Sequence, residues 1–247
     1  MSFKLKMLLK ENGITFAILL IAFNFNSIYG QQYIKGTYDS IADKFTAKNT
    51  TDHIINTSEG FSRFYVGDGM TGMGLINKEG KIICTPIYNN IMLLADTDSW
   101  IYIKGGLYGI FDKKDGKQLV EPKYHHINPI HDKVYTYQMY SKWGLLDNLG
   151  TKLTEPLFDR IHNFKEGFAR FYMDNKCGFI NTKGDIIVAA KYQNHDDMFF
   201  SEGLARVGIA DKFGFVNTSG QEVVAVKYDY AAKITNGLAR VKLNNKW

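Results

Sequence analysis

A bulky residue followed by glycine returns along this chain at Met73-Gly74, Tyr108-Gly109, Trp143-Gly144, Cys177-Gly178 and Phe213-Gly214, with steps of 35, 35, 34 and 36 residues between the glycines. Self-similarity at such a period marks a repeat architecture, in which stacked units share a core that none could bury alone. Three residues after each glycine stands Asn77, Asp112, Asp147, Asn181 or Asn217, and a second glycine follows at Gly80, Gly116, Gly150, Gly184 and Gly220. An Asx side chain that bonds the turn backbone, with a glycine accepting positive φ at its close, specifies a tight hairpin turn. Eight residues beyond the second glycine comes an aromatic in all five copies: Tyr88, Tyr124, Phe158, Tyr192 and Tyr228.

Upstream of the bulky-Gly step, Gly60, Gly167, Gly203 and Gly237 open the runs Phe-Ser-Arg-Phe, Phe-Ala-Arg-Phe, Leu-Ala-Arg-Val and Leu-Ala-Arg-Val. Short apolar or β-branched alternation bounded by turn residues predicts strands. One unit is then three strands: the glycine-led run, the bulky-Gly run, and a segment ending at the aromatic. The hydrophobic residue three places past each turn glycine (Ile83, Leu119, Leu153, Ile187, Val223) is expected to face a shared core. No helical spacing is sustained after residue 30.

The array resembles the WG-repeat (KWG-repeat) family. The resemblance rests on Lys142-Trp143-Gly144-Leu145-Leu146-Asp147, on Lys212-Phe213-Gly214-Phe215-Val216-Asn217 with Glu202-Gly203-Leu204-Ala205 before it, and on Tyr228-Asp229. It covers roughly residues 59 to 247 and implies a repeat fold with an interaction role rather than a defined activity. Met73, Tyr108 and Cys177 depart from the family's tryptophan, and the second and third copies carry Asp98-Ser99-Trp100-Ile101 and Lys133-Val134-Tyr135-Thr136 in place of Glu-Gly-Leu-Ala.

Residues 1–30 have the parts of a secretory signal: Lys4, Lys6 and Lys10, an apolar run from Ile14 to Phe25, and a polar end at Ser27-Ile28-Tyr29-Gly30. A transmembrane span needs about 20 apolar residues, and Asn24 and Asn26 interrupt this one. Export to the periplasm, outer surface or medium is the expectation, with no membrane span once the signal is removed. Loss of the three lysines and Glu11 leaves 27 basic against 24 acidic residues, or +3, too mild for the clustered footprint of a nucleic-acid binder. Cys84 and Cys177 occupy different columns of the repeat and are expected to be small core residues rather than a disulfide. Residues 31–58 are expected to cap the array, and 59–247 to form about five and a half units. Lys246-Trp247 falls where a sixth bulky-Gly pair would begin, which suggests a fragment of a longer array or one completed by another chain.

Gly67-Asp68-Gly69-Met70-Thr71-Gly72 matches G-x-G-x-x-G, but the dinucleotide motif requires a following helix, and Gly74-Leu75-Ile76-Asn77 is a strand pattern. A lengthened hairpin loop is the better reading, and no cofactor is implied. His125, His126, His162 and His195 all fall just after a closing aromatic, near Asp159, Asp196 and Asp197. A metal-binding row is one reading; solvated loop histidines is the other. Arg63, Arg170, Arg206 and Arg240 share a column, with Glu59, Glu166 and Glu202 preceding three of its glycines. An ion pair bridging neighbouring repeats competes here with a ladder of guanidinium forks for an anionic polymer. Trp100, Tyr102, Tyr135 and Tyr137, in the copies lacking the arginine, are either core or an aromatic binding face. No nucleophile motif or isolated carboxylate pair points to catalysis.

The sequence thus predicts an all-β chain of tandem three-stranded antiparallel meanders, solenoid-like or superhelical, with a propeller-like ring as the alternative. The expected role is a non-enzymatic surface for protein or glycan at the cell envelope. A metal-dependent activity along the histidines and a pure scaffold are the other readings.

Overall fold

The glycine of four bulky-Gly pairs, Gly74, Gly109, Gly178 and Gly214, marks a close backbone crossing. A Cβ on Gly178 would lie 2.2 Å from the Val188 carbonyl oxygen, and one on Gly214 would lie 2.4 Å from that of Val224. At Gly144 the obstacle is the Tyr137 ring, 2.6 Å away. Without a side chain the middle strand runs under its neighbour, and the pairing shifts register there, between Cys177 and Phe179 and between Phe213 and Phe215. Such bulges bend and twist a strand, so the glycine shapes the meanders in which the shift occurs.

The computed structural model describes residues 36–39, 44–47, 61–66, 72–77, 81–92, 94, 97–193, 195 and 198–247. The expected signal at 1–30, the loop 49–52, Gly67 to Thr71 of the glycine motif, and Asp196 and Asp197 lie outside these. The described chain is all-β, a tandem series of antiparallel meanders as the spacing predicts, and it divides into two compact units, Met1–Lys123 and Tyr124–Trp247.

In the first unit, β1 (Gly36–Asp39) and β2 (Lys44–Ala47) form a hairpin, and β3 (Phe61–Val66), β4 (Gly72–Asn77) and β5 (Ile82–Tyr88) form the first meander. Gly72, the last residue of the glycine motif, opens strand β4, so a strand and not a helix follows it. A second sheet comprises β6 (Asn90–Met92), β7 (Ser99–Lys104), β8 (Leu107–Asp112) and β9 (Gln118–Tyr124). Met73, Leu75, Cys84 and Tyr88 of the first meander pack on Ile91, Trp100, Tyr102 and Phe111 of the second.

In the second unit, β10 (His126–His131), β11 (Val134–Met139) and β12 (Lys142–Asp147) are followed by β13 (Arg160–Ile161), β14 (Phe168–Met173), β15 (Lys176–Asn181) and β16 (Ile186–Tyr192). The next sheet is β17 (Phe200–Ser201), β18 (Leu204–Ile209), β19 (Lys212–Asn217) and β20 (Glu222–Tyr228), and β21 (Tyr230–Ala231) pairs with β22 (Val241–Lys242). Beyond the three expected strands, a leading strand follows each closing aromatic and joins the next sheet, six residues long in β10 and two or three elsewhere. The β13–β16 sheet is buried on both faces. Ala169, Phe171 and Ile180 pack towards the β10–β12 sheet, whereas Cys177, Phe179, Val188 and Tyr192 pack on Met198, Phe200 and Val207. Burial on both faces explains the near-continuous apolar middle strands, where a one-sided sheet would alternate.

The Asx turns form as the sequence predicts. Asn181 Oδ1 accepts from Lys183 N and Asp185 N, both at 2.9 Å, and Gly184 sits at φ 90°. The same glycine has a second duty, since a Cβ on Gly184 would lie 2.6 Å from the Leu153 carbonyl oxygen and one on Gly220 2.1 Å from that of Ile187. Ile83, Leu119, Leu153 and Ile187 of the hydrophobic column three past the glycine are half-buried, and Val223 is exposed. The fully inward position is the next residue, as at Cys84, Val120 and Val188. Both cysteines are free and buried, and burial pushes the Cys84 thiol up to about 12.

Candidate functional site

The residue immediately after each closing aromatic carries a side-chain acceptor, and each time it holds the next hairpin. Asn89 Oδ1 accepts from Gly105 N at 2.7 Å, His125 Nδ1 from Tyr140 N at 2.9 Å, and Asp159 Oδ2 from Asp174 N at 2.9 Å. Gln193 Oε1 accepts from Ala210 N at 2.7 Å and Asp229 Oδ2 from Asn245 N at 3.5 Å. The turns so held have left-handed backbones: Asp174 and Asn175 at φ 51° and 60°, Ala210 and Asp211 at 45° and 59°. A two-residue turn of this hand matches strand twist, and the side chain supplies an acceptor for its first amide, or in the last copy for its second. Asn, His, Asp and Gln share no obvious sequence signature except an acceptor atom, which is why the column is invisible without register.

A second pair of columns fastens the repeats that carry them to the repeat that follows. Arg170 Nη1 donates to the His195 carbonyl at 2.5 Å, Arg206 Nη1 to that of Ala231 at 2.8 Å, and Arg63 Nη1 to that of Ile91 at 3.3 Å. Independently, the Glu166 carboxylate accepts from Glu202 N and Gly203 N at 3.0 and 3.2 Å. Glu202 repeats this one unit on, accepting from Asn236 N and Gly237 N at 3.0 and 2.7 Å. Bridging between repeats is thus present at both residues, and in each of these bonds the partner is main chain. Arg240 instead lies with its guanidinium carbon 4.3 Å from the centroid of the Trp247 ring.

The histidines rest against aromatic rings of the strands beside them. His126 lies on β10 against Trp143, His162 follows β13 against Tyr172, and His195 precedes β17 against Phe213. Each ring packs on its own sheet, and His125 spends Nδ1 on a turn amide. Among the described residues no group of three or more His, Cys, Asp or Glu could hold a metal ion. Burial, reinforced by the charges of Arg170 and Arg160, pulls the His162 imidazole down to about 4, so it is neutral at pH 7.

The aromatic binding face also fails, because Trp100, Tyr102, Tyr135 and Tyr137 are all fully buried. Register explains this: Trp100 and Tyr135 stand where the fourth copy has Ala169, and Tyr102 and Tyr137 where it has Phe171, both inward positions. The hydroxyls of Tyr102 and Tyr137 donate to the Val120 and Thr154 carbonyls at 2.9 Å. The arginine column itself aligns with Ile101 and Thr136 in these copies.

What the array does expose is a hairpin edge. Tyr140, at φ 56° in the β11–β12 turn, is 82% exposed. Its amide rests on His125, whose ring lies 5.8 Å from the Tyr140 ring. Beside it the Lys142 ammonium donates to Asp159 at 2.5 Å, and that bond holds the Asp159 carboxyl below the usual range. Sequence reading passed over Tyr140 because it falls between the strand motifs.

A family described as "WG containing repeat" matches residues 73–94, 108–143, 143–177, 178–213 and 213–247. The chain belongs to the WG-repeat family. No curated protein matches it. Among solved structures it is similar to the eukaryotic initiation factor, with TM-score 0.41 and 11% identity over 76% of this chain and 58% of that one. It is similar to Kluyveromyces lactis Hsv2 with complete loop 6CD at TM-score 0.34 and 11% identity, over 61% of this chain and 55% of that one. A third is the dihydro-heme d1 dehydrogenase NirN in complex with DHE, at TM-score 0.34 and 11% identity over 76% and 47%. The chain spans less than two thirds of the length of each. The WG-repeat signature acquires a physical reading in this chain: the glycine permits the strand crossing, the Asx closes the turn, and the Glu and Arg of the leading run tie one repeat to the next.

Proposed function

We propose that this WG-repeat chain is a non-enzymatic binding protein, exported to the cell envelope, that presents the hairpin edge of its third repeat to a protein or glycan partner. The observation that carries this reading is Tyr140. Other copies put Gly105, Asp174 and Ala210 at this left-handed turn position, whereas here a bulky aromatic occupies it and exposes its ring. A non-glycine residue in that region costs about 1 kcal/mol, and stability alone favours glycine. The left-handed backbone is shared with Asp174 and Ala210; what is particular to Tyr140 is its exposed ring, and an exposed aromatic with a polar tip suits both protein anchoring and sugar stacking. Export is supported by the charged, apolar and polar regions of residues 1–30.

Tyr140→Gly separates the two roles. The variant is expected to be more stable than the parent, by about 0.5–1 kcal/mol, and to lose capture of envelope proteins or glycans from a panel that the parent retains. Equal capture by parent and variant rejects the Tyr140 edge. A panel on which the parent itself retains nothing favours the scaffold reading.

A further inference from the structure

Two hairpin turns of this chain hold a carboxylate delivered by the unit before. Glu202 and Gly203, at φ 53° and 76°, receive Glu166; Asn236 and Gly237, at 51° and 74°, receive Glu202. Consecutive amides with this backbone form a concave nest that concentrates positive dipole on one point. Both oxygens of the carboxylate are used, each on one amide.

Glu166 and Gly167 form a third nest of the same shape, at φ 49° and 81°. Lys165 and Phe168 close it with reciprocal backbone bonds of 2.9 and 3.0 Å, as Thr235 and Leu238 close the Asn236–Gly237 turn at 2.9 and 3.2 Å. The unit before it differs. Lys133 stands eleven residues ahead of Gly144, as Gly167 stands eleven ahead of Gly178, which puts Asp132 in the place from which Glu166 reaches forward. Aspartate is one methylene shorter, and among the described residues no side-chain acceptor meets Glu166 N or Gly167 N.

We infer that the Glu166–Gly167 turn is a carboxylate-binding site open to the glutamate side chain of a partner polypeptide. The chain itself shows which chemistry fits, since the other two nests hold glutamate at 2.7–3.2 Å. Nor does the outgoing Glu166 carboxylate bar an incoming one, because Glu202 receives at its amide and gives at its side chain at the same time. Capture of carboxylates in backbone nests is an established mode of peptide recognition. The assignment of a polypeptide as the source rests on the binding-protein reading; the nest does not.

The test follows the backbone amide resonances of the full chain during titration with sodium acetate, against sodium chloride at matched ionic strength. Gly167 and Glu166 amides are expected to shift saturably with acetate alone, while Gly203 and Gly237 stay in place. Asp132→Glu is expected to move the Gly167 amide towards the position of Gly203 and to abolish its acetate response. A peptide with one central glutamate should reproduce the acetate shift, and its glutamine counterpart should not. Equal responses to acetate and chloride, or equal responses at Gly167 and Gly203, overturn the site, whatever Asp132→Glu does. An acetate response without a peptide response overturns the polypeptide source. Tyr140→Gly should leave the acetate response intact, so loss of partner capture in that variant and loss of the nest are separate results.

Discussion

The Arg170 guanidinium meets the His195 carbonyl at 2.5 Å across the seam between the β13–β16 and β17–β20 sheets, and no acidic side chain takes part in that bond. A charge-assisted bond to a half-buried carbonyl is worth about 1.5–3 kcal/mol. Arg170→Ala is therefore expected to lower unfolding free energy by about 2 kcal/mol in urea. Arg170→Lys is expected to recover only part of that loss, because the planar fork is what fits the site.

The glutamate links predict a local effect rather than a global one. Glu202→Leu removes both acceptors from Asn236 N and Gly237 N. Hydrogen exchange at those two amides should accelerate about fivefold or more, corresponding to about 1 kcal/mol, with Glu166 and Gly167 unaffected. Uniform acceleration across the sheet would show that Glu202 acts through the core instead.

Because His125 serves as a turn acceptor, it should be replaceable by any residue that can do the same. His125→Asn, the residue found at the corresponding Asn89, is expected to leave the melting temperature within about 2 °C of the parent. His125→Leu is expected to cost about 1 kcal/mol, the usual value of a cap. A bound metal lost with His125→Asn would contradict the turn assignment.

His162 makes stability depend on acidity. Its imidazole titrates near 4 in the folded chain against the ordinary 6.5, so between those values the unfolded chain binds more protons. Stability contributed by the neutral ring is complete above about pH 6.5, falls as the pH drops towards 4, and changes no further below it. With the ring partly exposed, the effect is on the order of 1–2 kcal/mol. His162→Phe should flatten this part of the pH–stability curve, and an unchanged slope would remove His162 as its source.

The meander and its turns were legible in the sequence because glycine and Asx act locally. A positive φ at Gly184 and the two amides gathered by Asn181 involve only neighbouring residues, so spacing alone revealed them. The leading strands were not legible: β13 and β17 are two residues long, and too short to show a period. Nor could spacing place the aromatics, since Trp100 and Ala169 share a column yet differ widely in size and in aromatic character. The arginine and glutamate columns were seen, but their partners were hidden for a simple reason. A carbonyl or amide belongs to every residue type, and a contact with one leaves no trace in the identity of its host.

That last point reaches beyond this chain. Arg170, Arg206, Glu166 and Glu202 grip groups that mutation at the receiving position leaves in place. The hosts of the arginine bonds, His195 and Ala231, can drift without a matching change in the repeat that holds them. A duplicated segment spliced between two existing ones would arrive with its own fasteners and find ready anchorage on either side. Growth by copying thus demands no co-invention, and length becomes the easiest trait of such a molecule to alter.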